Sequence, residues 1–383
     1  MTATSTALTA GNITNEGKNA NFTVTLTNPK ASEAVRYIYP AAMLAATVTT
    51  GAAVNADANV KYEALATQDG TLTNLASNLD LAIFDGWLTS EAALPASATL
   101  KNKLAILACT LKDNAATPSE ITDGITRLTI GDGTNTYTVS RSTGDGPIYV
   151  AIRPTTSANI DITANEGSQC YNKSLTGKTY EAGNGYNVSW KMPEALISNA
   201  NTVNYGMVVC AAGHLHLAKT AVPSGCTAVG ILGKVTATGH GLILALQNAS
   251  DQRWNTINGW TSVTTYASTT LKLLPDDDAA RGANLTSYTK LGETTVSNWA
   301  VAQKSDYEAI FQNLGSLKYN EGYTYDDKVN EYITTGVGGT GLSSYYWSAT
   351  DDDYGDSYWF FYSSCWATSY EDEINGLRPV LGF

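Results

Sequence analysis

The sequence predicts a β-rich chain of two domains, a β-sandwich followed by an α+β domain. Three observations carry that prediction. The chain has 383 residues, a length that ordinarily divides into two domains. Charged residues make up 15% and hydrophobic residues 43%. The polar surface must therefore come largely from Thr, Ser, Asn and Gly, which suit strands and turns better than helices. The two halves also differ in composition. Trp254, Trp260, Trp299, Trp347, Trp359 and Trp366 all follow residue 250, whereas the first half holds only Trp87 and Trp190.

The first half is a series of short segments with period-two alternation. Phe22–Leu26 alternates, and so do Thr126–Ile130 and Thr136–Val139. The last two flank a Gly/Asp-rich turn and read as a hairpin. Pro147–Ile152 is a fuller apolar strand stopped by Pro154, and Tyr186–Met192 alternates again up to Pro193. Many short strands separated by turn signals suggest a β-sandwich. The only helix expected here is a short one over Ala41–Ala46. A seam falls at Pro193–Asn204, whose Ser/Asn-rich composition reads as a linker.

The second half is mixed. Thr227–Leu232 and Gly241–Leu246 are short apolar runs flanked by glycine and read as buried strands. Ser305 and Glu308 form a capping-box pattern, and Tyr307, Ile310, Phe311 and Leu314 follow at helical spacing, with Gly315 as the stop. The closing Leu377–Phe383 is apolar and must pack on something. The predicted division is residues 1–195 and 205–383.

Bulk chemistry excludes some partners. The net charge is −12, and an acidic chain without basic runs cannot neutralise a phosphate backbone, so nucleic acid is excluded. No apolar run is long enough to span a bilayer; the longest weakly polar stretch, Tyr39–Val54, is Ala/Thr-rich and contains Gly51. The opening residues carry no basic region followed by an apolar core, so no signal peptide is read there. The five cysteines, Cys109, Cys170, Cys210, Cys226 and Cys365, are too few and too scattered for a disulfide framework. They read mainly as small buried hydrophobes, with Cys210–Cys226 the pairing favoured if any bridge forms.

Two resemblances sharpen this picture. Ile148–Ile152 followed by Pro154, then Tyr171–Gly183 with its Gly-Lys and Ala-Gly turn, then the alternating Tyr186–Met192, resemble the fimbrillin family of bacterial pilus subunits over about residues 15–195. Asn298–Ala302, Ser305–Ile310, Tyr346–Thr350 and Leu377–Phe383 resemble C-type-lectin-like domains related to the formylglycine-generating enzyme. Within that group the chain looks like the variable proteins of diversity-generating retroelements, over about residues 205–383. The implied fold is a fimbrillin-like β-sandwich followed by an α+β C-type-lectin-like domain.

In such variable proteins the diversified stretch corresponds to about residues 344–373 here. Its vocabulary of Asp, Ser, Tyr, Gly, Phe and Cys is what mutated asparagine codons yield. Trp366 is not reachable that way, so it is a fixed position or marks another template. The expected ligand-binding residues are Tyr345, Asp352, Asp353, Tyr354, Asp356, Ser357, Tyr358, Phe360, Tyr362, Ser364, Trp366, Ser369 and Tyr370. Phe360, Tyr362, Ser364 and Trp366 are expected to alternate along one strand. Tyrosine offers a large amphipathic contact at low entropy cost, and Ser and Asp supply adaptable polar contacts. Trp347, Trp359 and Phe361 are expected in the core, and Arg378 and Pro379 to anchor the loop.

Other constellations point nowhere specific. His214 and His216 could begin a zinc site, but only the distant His240 is left to complete it. The acidic runs at 276–278 and 351–353 do not match a calcium loop and read as solvated turns. Cys365 lacks the partner thiol that formylglycine-generating enzymes use, and no nucleophile–base pair is evident. No catalytic residue, metal or cofactor is expected, and the chain is not expected to be an enzyme. The resemblances imply a cell-surface, outer-membrane or pilus-tip adhesin. Its partner would be a protein or glycan on another cell, together with other pilus subunits, and its only membrane link an anchor or pilus outside this sequence. Fimbrillins polymerise by strand donation, and a bulky C-terminal domain favours a tip or stand-alone role. The alternative is a structural pilus subunit whose second domain is an inert spacer.

Overall fold

The computed structural model describes residues 4–5, 10–14, 19–50, 53–89, 98–142, 144, 146–257, 262–263, 271–274, 285–319, 322–351, 357–362 and 365–383. The chain is β-rich and divides into two compact units that interleave in sequence. One comprises residues 1–111, 137–158 and 177–190, and the other residues 112–136, 159–176 and 191–383.

In the first unit, Ala105–Asp113 lies between Ile148–Ile152 and Gly185–Met192 in a three-stranded sheet. Ile148 pairs with Cys109 and Ile152 with Ala105, antiparallel. Ala105, Leu107, Cys109 and Leu111 alternate inward, which is the period-two rule for a half-buried strand. Ile148–Ile152 is nearly wholly buried, as its unbroken apolar run implies. Its outer edge is satisfied by a side chain. The Gln68 carboxamide accepts from Ala151 N at 2.9 Å and donates to Ala151 O at 2.8 Å, while Tyr149 N donates to Gly70 O. A second sheet orders Ala34–Tyr39, Ala82–Trp87 and Lys101–Asn102. The helix expected over Ala41–Ala46 is only a 3₁₀ turn, Ala41–Met43.

The second unit is built on an eight-stranded sheet whose centre is Ala228–Ala237, His240–Ala245 and Val380–Gly382. Both apolar runs read from the sequence are strands here. They are covered on both faces: Leu232, Ile243, Val301 and Leu381 enter one core cluster, and Ile231, Leu242, Leu244 and Val380 the other. Within the closing segment Leu377–Phe383, Val380–Gly382 forms one of these central strands. A five-stranded sheet orders Ala249–Arg253, Ile374–Leu377, Tyr346–Asp351, Ser357–Tyr362 and Cys365–Tyr370.

The helix Lys304–Asn313 buries Tyr307, Ile310 and Phe311. Gly315, at φ +88°, ends it in the left-handed region that glycine adopts without steric cost. The expected capping box does not form. Gln303 is the N-cap, but its amide donates to Ala349 O and accepts from Thr350 Oγ1 rather than capping the helix, and Thr350 Oγ1 accepts from Lys304 N. A second helix, Asp327–Thr334, went unread in the sequence; Asp326 caps it by accepting from the N–H groups of Lys328 and Val329.

The segment Pro193–Asn204, read as a linker, is ordered and packed. Asn204 and Asn172 exchange amide hydrogen bonds at 2.8 and 2.9 Å, and Asn204 Nδ2 also reaches Thr163 Oγ1 at 2.7 Å. Ala195, Ile197 and Ala200 are buried beside it. Buried amides must find partners, and these find one another, so Asn-rich composition here signals a satisfied network rather than free chain. No helix among the described residues is long and apolar enough to cross a membrane.

Candidate functional site

The stretch expected to bind a partner forms three of the five strands just described. Tyr346–Asp351 pairs antiparallel with Ser357–Tyr362, which pairs with Cys365–Tyr370. Side chains alternate across these strands, so each has a face toward the helix Lys304–Asn313 and a face away from it.

The helix-side face is an aromatic core. Phe361 lies 4.8 Å from Tyr307, 5.1 Å from Phe311, 5.2 Å from Trp366 and 5.3 Å from Tyr346 between ring centroids. Tilted and edge-on contacts at these spacings add to the gain from burial. The polar tips are satisfied. Tyr307 Oη donates to Arg378 O at 2.7 Å, and Trp366 Nε1 donates to Tyr323 O at 2.9 Å. Burial pushes the Tyr307 phenol up, keeping it the neutral donor this bond needs. Arg378 is fully buried and spends its guanidinium on the carbonyls of Ala245 and Thr340. It thus ties the end of the strand His240–Ala245 to the loop at Thr340. Burial lowers its pKa, although an arginine stays protonated across the physiological range.

The opposite face is aromatic too; Trp254 and Trp347 are buried there in the other core cluster, and it opens only around Tyr345. Tyr345 is 51% exposed. It meets Tyr362 edge-on at 5.1 Å and Phe360 at 5.5 Å, and Phe360 and Tyr362 lie nearly parallel at 6.1 Å. Phe360 and Tyr362 are half-buried. Beneath them Trp347 supports Phe360, with its indole N–H bonded to Gln252 O at 2.9 Å, and Tyr358 lies 4.2 Å from Trp254. The result is a patch of exposed rings on a rigid aromatic bed.

The expected binding residues divide accordingly. Tyr345, Phe360 and Tyr362 come together, Tyr358 lies beside them, and Tyr370, 64% exposed, and Ser369 stand on the outermost strand. Two belong elsewhere. Trp366 is 5% exposed and part of the core, and Ser357 is 9% exposed. The expected alternation of Phe360, Tyr362, Ser364 and Trp366 fails because the chain reverses. Tyr362 pairs with Cys365, so Trp366 falls opposite Phe361 and inherits its inward face. Asp352, Asp353, Tyr354, Asp356 and Ser364 lie outside the described residues. Of the three residues expected in the core, Trp347 and Phe361 are buried. Trp359 is half-buried and carries Lys304 Nζ over its ring at 3.7 Å, a cation–π contact that only the fold creates.

The remaining constellations are accounted for locally. Cys210 and Cys226 form a disulfide with Cα atoms 5.5 Å apart. Their sulfurs lie near His216, but bonded to each other they cannot serve as thiolate ligands. His214 Nδ1 pairs with Glu194 at 2.8 Å and His216 Nδ1 lies 3.2 Å from Ser168 O. Cys109 and Cys170 are buried thiols, and burial holds Cys170 up at about 11, so neither is a ready nucleophile. Asp351 is exposed, and the run at 276–278 lies outside the described residues.

No family model matches the chain, and no curated protein matches it. Two solved structures are similar in part. A fimbrial protein from Bacteroides ovatus aligns over 96% of this chain and 89% of its own, at 12% identity and a TM-score of 0.30. A candidate cell adhesion protein from Bacteroides uniformis aligns over 46% of this chain and 76% of its own, at 15% identity and a TM-score of 0.26. Likeness at these TM-scores does not establish a shared fold.

Proposed function

We infer that this chain is a surface-displayed adhesin, not an enzyme, and that its partner binds the exposed aromatic face of the second unit. One observation carries the reading: Tyr345, Phe360 and Tyr362 form a contiguous patch of partly exposed rings on a sheet whose other face is locked into the core. Large rigid aromatics held by packing are the residues that dominate binding interfaces, because they bury much area while losing little freedom. Tyr345 belongs to neither core cluster, so it can change without disturbing Phe361, Trp366 or Arg378. That separation is what a diversified lectin-like binding domain requires, and it supports the finer reading of residues 344–373 as a variable region. A fimbrillin-like first half would then place the domain on a pilus or the cell surface.

Cells displaying the full chain are compared with cells displaying Tyr345→Ala/Phe360→Ala/Tyr362→Ala. Attachment to host or neighbouring cells is expected to fall at least tenfold in the variant. Equal attachment, with the variant folded and displayed at the parent level, contradicts the reading and favours an inert spacer. Sequencing the 3′ end of the gene across a population tests the variable region independently. Substitutions should gather at residues 344–373 and spare Trp347 and Arg378.

A further inference from the structure

The five-stranded sheet ends on Cys365–Tyr370, which has Ser357–Tyr362 on one side and, among the described residues, no hydrogen-bonded strand on the other. Natural sheets usually guard such edges with charges, proline or a bulge. This one has none of them. Cys365–Tyr370 contains no charged residue and no proline, and its register with Ser357–Tyr362 runs unbroken through all six pairs. Tyr362 and Cys365 pair across two intervening residues, so that pair must exchange its own hydrogen bonds. Alternation then turns the N–H and C=O groups of Ala367 and Ser369 inward and those of Trp366, Thr368 and Tyr370 outward. The Trp366 end is covered, since its indole bonds to Tyr323. The other end is only partly occupied. The Tyr370 carbonyl accepts from Glu373 N at 3.1 Å, but Thr368 and Tyr370 are exposed, and the Thr368 N–H meets no partner among the described residues.

Charge specifies what fits there. Between Ser344 and Gly376 the sequence has seven acidic residues and no lysine or arginine. Glu371, Asp372 and Glu373 directly follow the open end, and none of their carboxylates is paired among the described residues. Arg253 pairs with Ile374, and Asn255 N donates to Glu371 O, so one basic residue stands beside this turn, outnumbered by its three carboxylates. Lys304, on the helix side, is held near Glu308 and over Trp359.

We propose that Cys365–Tyr370 receives an extended, basic segment of a partner protein as an added strand, with Lys or Arg side chains meeting Glu371–Glu373. This rests on the adhesin reading and adds the partner's chemistry and the mode of docking. Strand addition draws affinity from main-chain hydrogen bonds and specificity from alternate side chains. Side chains on the binding face can therefore change while the docking frame persists. A second copy of this chain, itself at net charge −12, is repelled from the same edge.

The probe is a labelled octapeptide alternating lysine and threonine, compared with its glutamate–threonine counterpart, titrated into the full chain and followed by fluorescence anisotropy. The lysine peptide is expected to bind, to weaken as salt is raised, and to protect the Thr368 amide from hydrogen exchange. Thr368→Pro deletes one outward N–H and no ladder bond, so it should weaken the peptide at least tenfold at an unchanged unfolding midpoint. If that proline lowers the midpoint, Thr368→Lys gives the same readout by charge. Equal binding of the glutamate peptide, or lysine-peptide binding unchanged in both variants, overturns the proposal. Cell attachment separates it from the adhesin reading. Loss with Tyr345→Ala/Phe360→Ala/Tyr362→Ala but parental attachment with Thr368→Pro overturns edge docking alone. Parental attachment with both overturns the adhesin reading as well.

Discussion

Replacing Trp366 with alanine tests whether the parity of the strands Ser357–Tyr362 and Cys365–Tyr370 is right. The side chain is 5% exposed, packs on Phe361 at 5.2 Å, and donates its indole N–H to Tyr323 O at 2.9 Å. Emptying a buried Trp site costs about 3–5 kcal/mol through lost transfer energy and the cavity left behind. The Tyr323 carbonyl also loses its donor, which adds about 1 kcal/mol where water cannot replace it. Tyr345, half exposed and on the opposite face, should cost no more than about 1 kcal/mol on truncation. Urea unfolding followed by far-UV circular dichroism measures both, with an unchanged m-value showing that the unfolding reaction is the same. Trp366→Phe keeps most of the packing and should fall between them, which guards against a variant that does not fold. The reasoning is refuted if Trp366→Ala costs less than Tyr345→Ala, or if attachment falls with Trp366→Phe while stability does not change.

Gln68→Leu removes the amide that satisfies both backbone groups of Ala151 and reaches Leu65 O. Leaving buried polar groups unpaired should destabilise the first unit by roughly 2–4 kcal/mol, read as a lower urea midpoint with faster exchange of the Ala151 amide. Cys210→Ser/Cys226→Ser opens a bridge spanning 16 residues, and its loop-closure contribution of about 3 kcal/mol should be lost; a change under about 0.5 kcal/mol in urea titrations rejects this. Burial raises the Glu308 carboxyl pKa, against the pull of Lys304 and Lys318. A raised folded-state pKa means the folded chain keeps a proton the unfolded chain has shed. Stability therefore falls as pH rises from the ordinary carboxylate range through the raised value. Glu308→Gln should gain on the parent between pH 4 and pH 8 in thermal unfolding, and a gain that does not grow with pH counts against it.

Much of the local structure was legible in the sequence. The unbroken apolar runs at Thr227–Leu232 and Gly241–Leu246 could only be strands covered on both faces. Tyr307, Ile310, Phe311 and Leu314 at helical spacing with Gly315 behind them marked the helix and its end. These are short-range signals, set by side-chain period and backbone preference, and they do not depend on what lies across the fold.

Tertiary structure decided what depends on pairing. Trp366 shares its sequence parity with Phe360 and Tyr362, and only the reversal between Tyr362 and Cys365 turns it inward opposite Phe361. Asn201 and Asn204 look like linker residues until Asn172, from a distant strand, exchanges amide hydrogen bonds with Asn204, whose Oδ1 also accepts from Asn201 N; these bonds make burial tolerable. The capping box at Ser305 and Glu308 is displaced by Thr350, a residue from another strand. The interleaving of the two units is equally invisible in composition, because strands are assigned to a core by their partners and not by their neighbours in the chain. Sequence determined which residues are apolar, which turn and which can cap; the fold determined which way each one faces.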